Sequence, residues 1–228
     1  MKNTIKYLIL LIIYLVCGVN LQAQNYTFRN VVMSDGLSGL LVNAIYKDSE
    51  GFVWLGTDNC LDRFDGVKVR HYEFRGVDSG RKKRVNCITE TADDQLWVGN
   101  GIGLWRLNRA NGQLERIVPE KIDFAVNTLL PDGDILYIGT EKGLFIQKDG
   151  QLLQVLTDRN MLAACNRIMD LCLNEDKSAL WLATVQGLFS YSLKDGKIDS
   201  WHFQENVPEA DYFRCLTRIG ETLYLGTM

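Results

Sequence analysis

Short apolar runs recur along this chain, and glycine, asparagine and aspartate separate them. A clear example is "GFVWLGTDNCLDRFDG" at 51–66, in which two apolar runs are followed by Asp65-Gly66. Short runs rich in β-branched and aromatic residues, bounded by turn residues, are typical of strands, and Asp-Gly pairs favour tight hairpin turns. The pattern therefore predicts antiparallel strands joined by hairpins.

The centre of that stretch recurs at a regular period. "VWLGT" is followed by "LWVGN", "LYIGT", "LWLAT" and "LYLGT", with 43, 40, 44 and 43 positions between successive aromatic residues. These aromatic residues are Trp54, Trp97, Tyr137, Trp181 and Tyr224. In the four complete copies a leucine follows seven positions later, at Leu61, Leu104, Leu144 and Leu188. The spacing indicates an internal repeat.

One repeat unit is predicted to hold four strands and three tight turns. In the first unit the strands are expected at about 44–47, 52–57, 61–64 and 67–74. Four antiparallel strands in about 43 residues is the size of one propeller blade. The sequence therefore predicts an all-β propeller over residues 24–228, with about four complete four-stranded antiparallel blades and the start of a fifth.

The repeated residue types have a structural explanation. A blade is covered by neighbours on both faces, so its second strand needs large apolar side chains, which Trp and Tyr supply. The glycine two positions after the aromatic residue allows close approach of another backbone. Ala183 replaces that glycine in the fourth copy, so the position is expected to require a small residue.

The N-terminus predicts export. Lys2 and Lys6 precede an apolar run from Tyr7 to Val19, which is too short to span a bilayer but suits a signal peptide. We expect a signal peptide over residues 1–23, cleaved after Ala23. An uncleaved anchor is the alternative, and a lipid-modified Cys17 is disfavoured because Val16 stands where a small residue is expected.

Composition narrows the function only slightly. With 25 basic and 28 acidic side chains the net charge is −3, which gives no reason to expect direct contact with nucleic acid. Removal of the signal peptide leaves an odd set of irregularly spaced cysteines: Cys60, Cys87, Cys165, Cys172 and Cys215. Such a set argues against a disulfide framework, and small buried apolar residues are the favoured interpretation.

The repeat resembles a known family. The segment "DGLSGLLVNAIYKDSEGFVWLGTDNCLDRFDG", from Asp35 to Gly66, is similar to the two-component regulator propeller repeat of the extracytoplasmic sensor regions of hybrid two-component systems in Bacteroidetes. "DGLS", "GFVWLGT", "LDRFDG" and "GLWRLNRANG" occur in the family's order, over about residues 25–228. Cys60 departs from the usual glycine before leucine, and Asn100 from the usual threonine.

This resemblance implies a sensor. Such receptors have an exported propeller region of many blades, a small β-sandwich, a membrane helix and a cytoplasmic histidine kinase, and a dimeric receptor is implied. They respond to oligosaccharides from polysaccharide breakdown and regulate transcription. The segment itself is then non-catalytic, without a cofactor, and lies on the periplasmic side of the inner membrane. Because "LYLGTM" stops inside the second strand of the fifth blade, we expect the chain to be an N-terminal fragment of a larger receptor.

Ligands of propellers usually meet the loops at one rim or the mouth of the central channel. The innermost strands are predicted to begin at Asn43, Asn86 and Asn127, which are candidates to line that mouth, although an Asn can instead cap its own turn. Arg84 closes the basic connection 75–84, which could grip an acidic sugar or simply be solvated. Trp105 and Trp201 lie outside the repeated aromatic position, and either could stack on a sugar or be buried between blades.

The sequence contains no recognisable catalytic or metal-binding pattern. The histidines, His71 and His202, are 131 residues apart, and no spacing of His, Cys and carboxylates matches a known metal motif. No metal or catalytic residue is therefore predicted. A non-catalytic sensor is the favoured hypothesis, and a secreted carbohydrate-active propeller hydrolase or lyase is the alternative, although a carboxylate pair cannot be located from sequence.

Overall fold

The structure is a computed structural model that describes residues 6–7, 28, 30–77, 83–117, 122–156, 167–201 and 212–227. The chain divides into two compact units, Met1–Val31 and Val32–Met228, and every strand among the described residues lies in the second. Most of the expected signal peptide falls outside the described residues. Within the described part, no helix has the length and apolar character needed to cross a bilayer.

The second unit contains four four-stranded antiparallel sheets and one two-stranded sheet, each formed by consecutive strands. A 3₁₀ turn, Met33–Asp35, precedes them. Blade 1 comprises β1 (Val42–Lys47), β2 (Val53–Thr57), β3 (Leu61–Phe64) and β4 (Val69–Tyr72). Blade 2 comprises β5 (Val85–Glu90), β6 (Leu96–Asn100), β7 (Gly103–Asn108) and β8 (Gln113–Ile117). Blade 3 comprises β9 (Val126–Asp132), β10 (Ile135–Thr140), β11 (Gly143–Lys148) and β12 (Gln151–Gln154).

Blade 4 comprises β13 (Ile168–Leu173), β14 (Ala179–Thr184), β15 (Gly187–Ser192) and β16 (Ile198–Trp201). The fifth sheet pairs β17 (Phe213–Ile219) with β18 (Thr222–Thr227). The prediction of four blades and the start of a fifth is therefore confirmed. In blade 1, four of the eight strand ends lie where they were expected and the other four differ by one or two residues. The first strands of blades 1 to 3 begin one residue before each predicted asparagine.

The hairpins form where the sequence places Asp-Gly pairs. Asp65 Oδ1 accepts hydrogen bonds from the backbone N–H groups of Val67 and Lys68, at 2.8 and 2.7 Å, and so closes the β3–β4 turn. Gly66 has φ of +98°, a conformation that favours glycine. In blade 3, Asp149 and Gly150 both have positive φ, as a two-residue hairpin turn requires.

The core lies between the blades. Each of four apolar clusters joins one blade to the next, and each contains the repeated aromatic residue and the leucine that follows it. The first cluster, for example, contains Trp54 and Leu61 of blade 1 with Val85 and Trp105 of blade 2. The first strands of successive blades also contact one another, so β1, β5, β9, β13 and β17 form the inner side of the array.

The repeated glycine lies against the next blade. A Cβ on Gly56 would come within 2.5 Å of Val85 Cγ1, and one on Gly99 within 2.6 Å of Val126 Cγ1. This confirms that the position allows close approach. In blade 4 the methyl group of Ala183 packs in one cluster with Phe213 and Leu216 of the fifth sheet, so a small side chain is accommodated there.

Not every prediction about burial is correct. Trp54, Trp97 and Tyr137 are buried, whereas Tyr224 of the fifth sheet is 53% exposed. Among the described cysteines, Cys60 is buried, Cys87 and Cys172 are half-buried, and all three are free. Cys215 is free but exposed, because it lies in β17 of the two-stranded sheet, so the expectation of a buried residue is wrong for it.

Candidate functional site

A cavity of about 350 Å³ lies where the first strands of blades 2 to 5 begin. Because the strands are antiparallel, the turn that follows each second strand returns to the same rim, and Gly101 and Glu141 of two such turns also reach the cavity. We call this cavity the channel mouth. Its lining residues are Arg84, Asn86, Gly101, Ala125, Asn127, Glu141, Arg167, Met169 and Arg214.

The channel mouth is basic. Three arginines line it from three different blades, namely Arg84, Arg167 and Arg214. Glu141 is the one carboxylate among its described lining residues, and its Oε1 lies 3.7 Å from Arg167 Nη2. The surplus of cationic groups favours an anionic ligand, since guanidinium groups bind carboxylates and sulfates through paired hydrogen bonds.

The predicted asparagines join blades to one another. Asn86 Nδ2 donates to the backbone carbonyl of Val126 at 2.9 Å, and Asn127 Nδ2 donates to that of Ile168 at 2.8 Å. Each amide therefore bonds to the next blade, which differs from the alternative of capping its own turn. Asn86 Oδ1 also accepts a hydrogen bond from Arg84 Nε at 3.2 Å and so orients that guanidinium.

The structure separates the other sequence-predicted residues from this mouth. Asn43 is exposed at the start of β1 and is not among the lining residues. Trp105 is 1% exposed, and its ring packs edge-on against Phe74 with centroids 5.0 Å apart, so its faces are not available to a sugar. Trp201 is 39% exposed, but it ends the outermost strand of blade 4 and packs against Trp181.

Part of the basic connection reaches the site. Residues 78–82 lie outside the described residues, Arg84 lines the channel mouth, and Lys83 lines a different cavity. Sequence reasoning missed Arg167, Arg214 and Glu141. Alignment of the repeats contained a usable signal, because Arg167 occupies the position of Arg84 and Arg214 that of Asn86.

The described lining of the channel mouth offers binding groups and no assembled acid–base pair. A glycosidase uses two carboxyl groups on either side of the scissile bond, and Glu141 supplies one. The guanidinium and amide donors are suited to hold the anionic and hydroxyl groups of a ligand.

Comparison with known proteins identifies the repeat. Residues 36–59 match the family model described as two-component regulator propeller. Over 79 residues the chain is 32% identical to histidine kinase P4 of Formosa agariphila, a match that covers 35% of this chain and 6% of the kinase.

Solved structures share the fold. The extracellular domain of the putative hybrid two-component system BT4673 of B. thetaiotaomicron is 25% identical, with a TM-score of 0.67 over 82% of this chain and 26% of that one. The corresponding domain of BT3049 from the same organism is 21% identical, with a TM-score of 0.73 over 89% and 30%. Virginiamycin B lyase of Staphylococcus aureus, 17% identical with a TM-score of 0.63 over 81% and 62%, shares the fold alone.

The chain thus spans under a third of the length of these sensor domains and a small part of the kinase. The matched segment, Gly36 to Asn59, is the part of blade 1 that contains the first repeated aromatic residue, and the same unit recurs in the other blades. Residues 36–59 of the chain are therefore a match to the two-component regulator propeller repeat.

Proposed function

We propose that this chain is part of the extracytoplasmic ligand-sensing region of a hybrid two-component receptor, and that it binds an anionic oligosaccharide released from a polysaccharide. The similarity to extracellular domains of hybrid two-component systems and to a histidine kinase supports the receptor. In this proposal the segment is exported to the periplasmic side of the inner membrane. Kinase and further parts of the same dimeric receptor are its partners, and the segment does not contact nucleic acid.

The observation that carries the ligand proposal is the convergence of three arginines at the channel mouth. Arg84, Arg167 and Arg214 come from blades 2, 4 and 5, so one ligand would contact three blades at once. Uronic or sulfated sugars combine anionic groups with many hydroxyls, which the arginines and the side-chain oxygen of Asn127 can bind.

Signalling follows from differential binding. A ligand shifts a conformational equilibrium only as far as it prefers one arrangement over the other. A ligand bound to three blades prefers the arrangement in which the arginines of all three can reach it at once. The proposed signal is therefore a small change in how blades 2 to 5 are arranged, transmitted to the rest of the receptor.

Calorimetry with a panel of oligosaccharides tests this proposal. The purified chain is titrated with oligouronides, sulfated oligosaccharides and neutral oligosaccharides of equal length. We expect an anionic member to bind and its neutral counterpart to bind at least about tenfold more weakly, because a charge-assisted hydrogen bond contributes about 1.5–3 kcal/mol.

Arg214→Ala and Arg167→Ala should each weaken this binding, and Lys194→Ala, which removes an exposed charge in a turn of blade 4, should not. Equal affinity for neutral and anionic sugars would contradict the anionic ligand. Binding that is unchanged in both arginine variants would contradict the channel mouth as the site. Cleavage of the bound sugar would contradict a non-catalytic sensor.

A further inference from the structure

Blade 1 contains a polar cluster of Cys60, Asp62 and His71 that has no counterpart among the described residues of the other blades. Strand register places Asp62 of β3 directly opposite His71 of β4, and Cys60 lies two residues before Asp62, on the same side. Asp62 Oδ1 lies 2.7 Å from His71 Nδ1 and 3.2 Å from Cys60 Sγ. The three potential ligand atoms all lie within 4.8 Å of one another.

The residues of this cluster occupy positions at which the other complete blades have residues of a different type. The position of Asp62 is occupied by an aromatic residue in the other complete blades, namely Trp105, Phe145 and Phe189, and all three are buried. The position of Cys60 is glycine in those blades, at Gly103, Gly143 and Gly187, each with positive φ. Blade 1 thus replaces a glycine and a core aromatic residue with a thiol and a carboxylate.

Asp62 is fully buried, which is costly for a carboxylate unless it is paired or coordinates a cation. Its Oδ2 accepts hydrogen bonds from both the backbone N–H and the hydroxyl of Ser38, each at 2.8 Å. Ser38 is held in turn by Thr57 Oγ1 at 2.9 Å. One carboxylate oxygen is therefore fixed by Ser38, while the other is aimed at Cys60 and His71.

From this arrangement we infer that Cys60 Sγ, Asp62 Oδ1 and His71 Nδ1 form a binding site for one Zn²⁺ ion. Zinc takes mixed sulfur, nitrogen and oxygen ligands at about 2.0–2.3 Å in tetrahedral geometry, which separates ligand atoms by about 3.3–3.7 Å. The Sγ–Oδ1 and Nδ1–Oδ1 separations, 3.2 and 2.7 Å, would open by less than about 1 Å. The Sγ and Nδ1 atoms lie within 4.8 Å of each other, so this pair would close by at most about 1 Å. Coordination replaces the thiol proton, which leaves to solvent.

The fourth position faces an open space. A cavity of about 290 Å³ adjoins the cluster, lined by Ser38, Asn59, Cys60, His71, Glu73, Phe74 and Lys83. Glu73 follows His71 by two residues, so it extends the same face of the β4 segment. The cavity can therefore supply a water molecule or the Glu73 carboxylate as the fourth ligand.

Three other roles fit the cluster less well. Burial raises the pKa of the Cys60 thiol to about 12, so the free thiol is protonated and is a poor nucleophile at neutral pH. A purely structural hydrogen-bonded cluster would not need a thiol, because the other complete blades form the same backbone with a glycine at this position. Hard cations such as Ca²⁺ or Mg²⁺ prefer oxygen ligands and do not use thiolates.

The test uses the full chain, freed of metal by a chelator and then titrated with zinc sulfate or cobalt chloride alone. We expect one equivalent of Zn²⁺ to bind, and Co²⁺ to give the ligand-to-metal charge-transfer absorption of a thiolate complex. Cys60→Gly restores the residue of the other blades, and it should abolish that absorption while it preserves the circular dichroism spectrum of the fold. His71→Gln should weaken binding by at least about tenfold.

Ser38→Ala tests the support of the carboxylate, and loss of such an orienting partner is expected to weaken metal binding by about 10–100-fold. Cys215→Ser removes an exposed thiol and is the matched control, for which binding should not change. The inference is overturned if the wild-type chain binds no stoichiometric metal, or if the thiolate absorption survives in Cys60→Gly and disappears in Cys215→Ser. This site is independent of the channel mouth, so either proposal can fail alone.

Discussion

Gly139 of blade 3 lies so close to Ile168 of blade 4 that a Cβ on the glycine would come within 2.8 Å of Ile168 Cγ2. The same Cβ would come within 2.5 Å of Thr128 Cγ2, on the neighbouring strand. A single hydrogen atom at this position therefore permits the junction of two blades.

Gly139→Ala should destabilise the fold by about 1–3 kcal/mol, because the added methyl group overpacks the junction. Urea unfolding measures the change. Thr128→Ser removes the nearer methyl group but retains the hydroxyl that donates to Asp170. The double variant should therefore lose less free energy of unfolding than the two single variants lose in sum. Strict additivity would contradict the contact.

Asn100 and Trp105 depart from the repeat together. Trp105 Nε1 donates to the Oδ1 atom of Asn100 at 3.1 Å, and both side chains are buried. Blades 3 and 4 have threonine and phenylalanine at these two positions. Asn100→Thr alone should cost about 1–3 kcal/mol, because it leaves the buried indole N–H without an acceptor. Adding Trp105→Phe removes that donor, so a double-mutant cycle in urea should show a favourable coupling. No coupling would mean that the pair acts independently.

Asn86 is expected to contribute to stability as well as to the channel mouth. Asn86→Ala loses the hydrogen bond to the Val126 carbonyl and should cost about 1 kcal/mol in urea unfolding. Asn43→Ala changes an exposed side chain at the same repeat position, and its free energy of unfolding should be unchanged. Equal effects in both variants would show that the inter-blade bond is not responsible.

The Asp65 turn should make stability depend on pH. The N–H groups of Lys68 and Val67 donate to its carboxylate and lower the pKa of Asp65 from its ordinary value of 3.8. The contribution is present above the unfolded-state pKa and is lost as pH falls through the lower folded-state pKa. The difference in unfolding free energy between wild type and Asp65→Asn should therefore shrink on acidification. A constant difference would contradict this role.

Ligand binding at the channel mouth should weaken as salt is added. Exposed charge pairs are screened over a Debye length of about 8–10 Å near physiological ionic strength. The affinity for an anionic oligosaccharide, measured by calorimetry at increasing sodium chloride, should fall, and Arg214→Ala should reduce the slope. A neutral oligosaccharide provides the comparison, and an affinity independent of salt would argue against ionic recognition.

The fold could be predicted from sequence because its determinants are local and repeated. The aromatic period and the turn residues around Asp65-Gly66 reveal the strands, since each strand and hairpin depends on nearby residues. The channel mouth was only partly predictable, because Arg167 and Arg214 converge through the arrangement of blades and not through any local spacing.

The cluster of Cys60, Asp62 and His71 in blade 1 was also hard to predict from the sequence. Cys60 is recognisable as a departure from glycine, but its relation to His71 depends on the β3–β4 register, which brings residues eleven positions apart into one place. Sequence spacing alone matched no metal motif. The substitution of a core aromatic residue by Asp62 was the available signal, and it becomes meaningful when all blades are aligned.

The asparagine bonds between blades also have a consequence for how the chain folds. Asn86 reaches a residue 40 positions ahead, and Asn127 one 41 positions ahead. The entropic cost of closing each junction is therefore nearly constant along the chain. Each blade can dock on its predecessor once its own first strand has formed, so folding can proceed one unit at a time without contacts between distant segments.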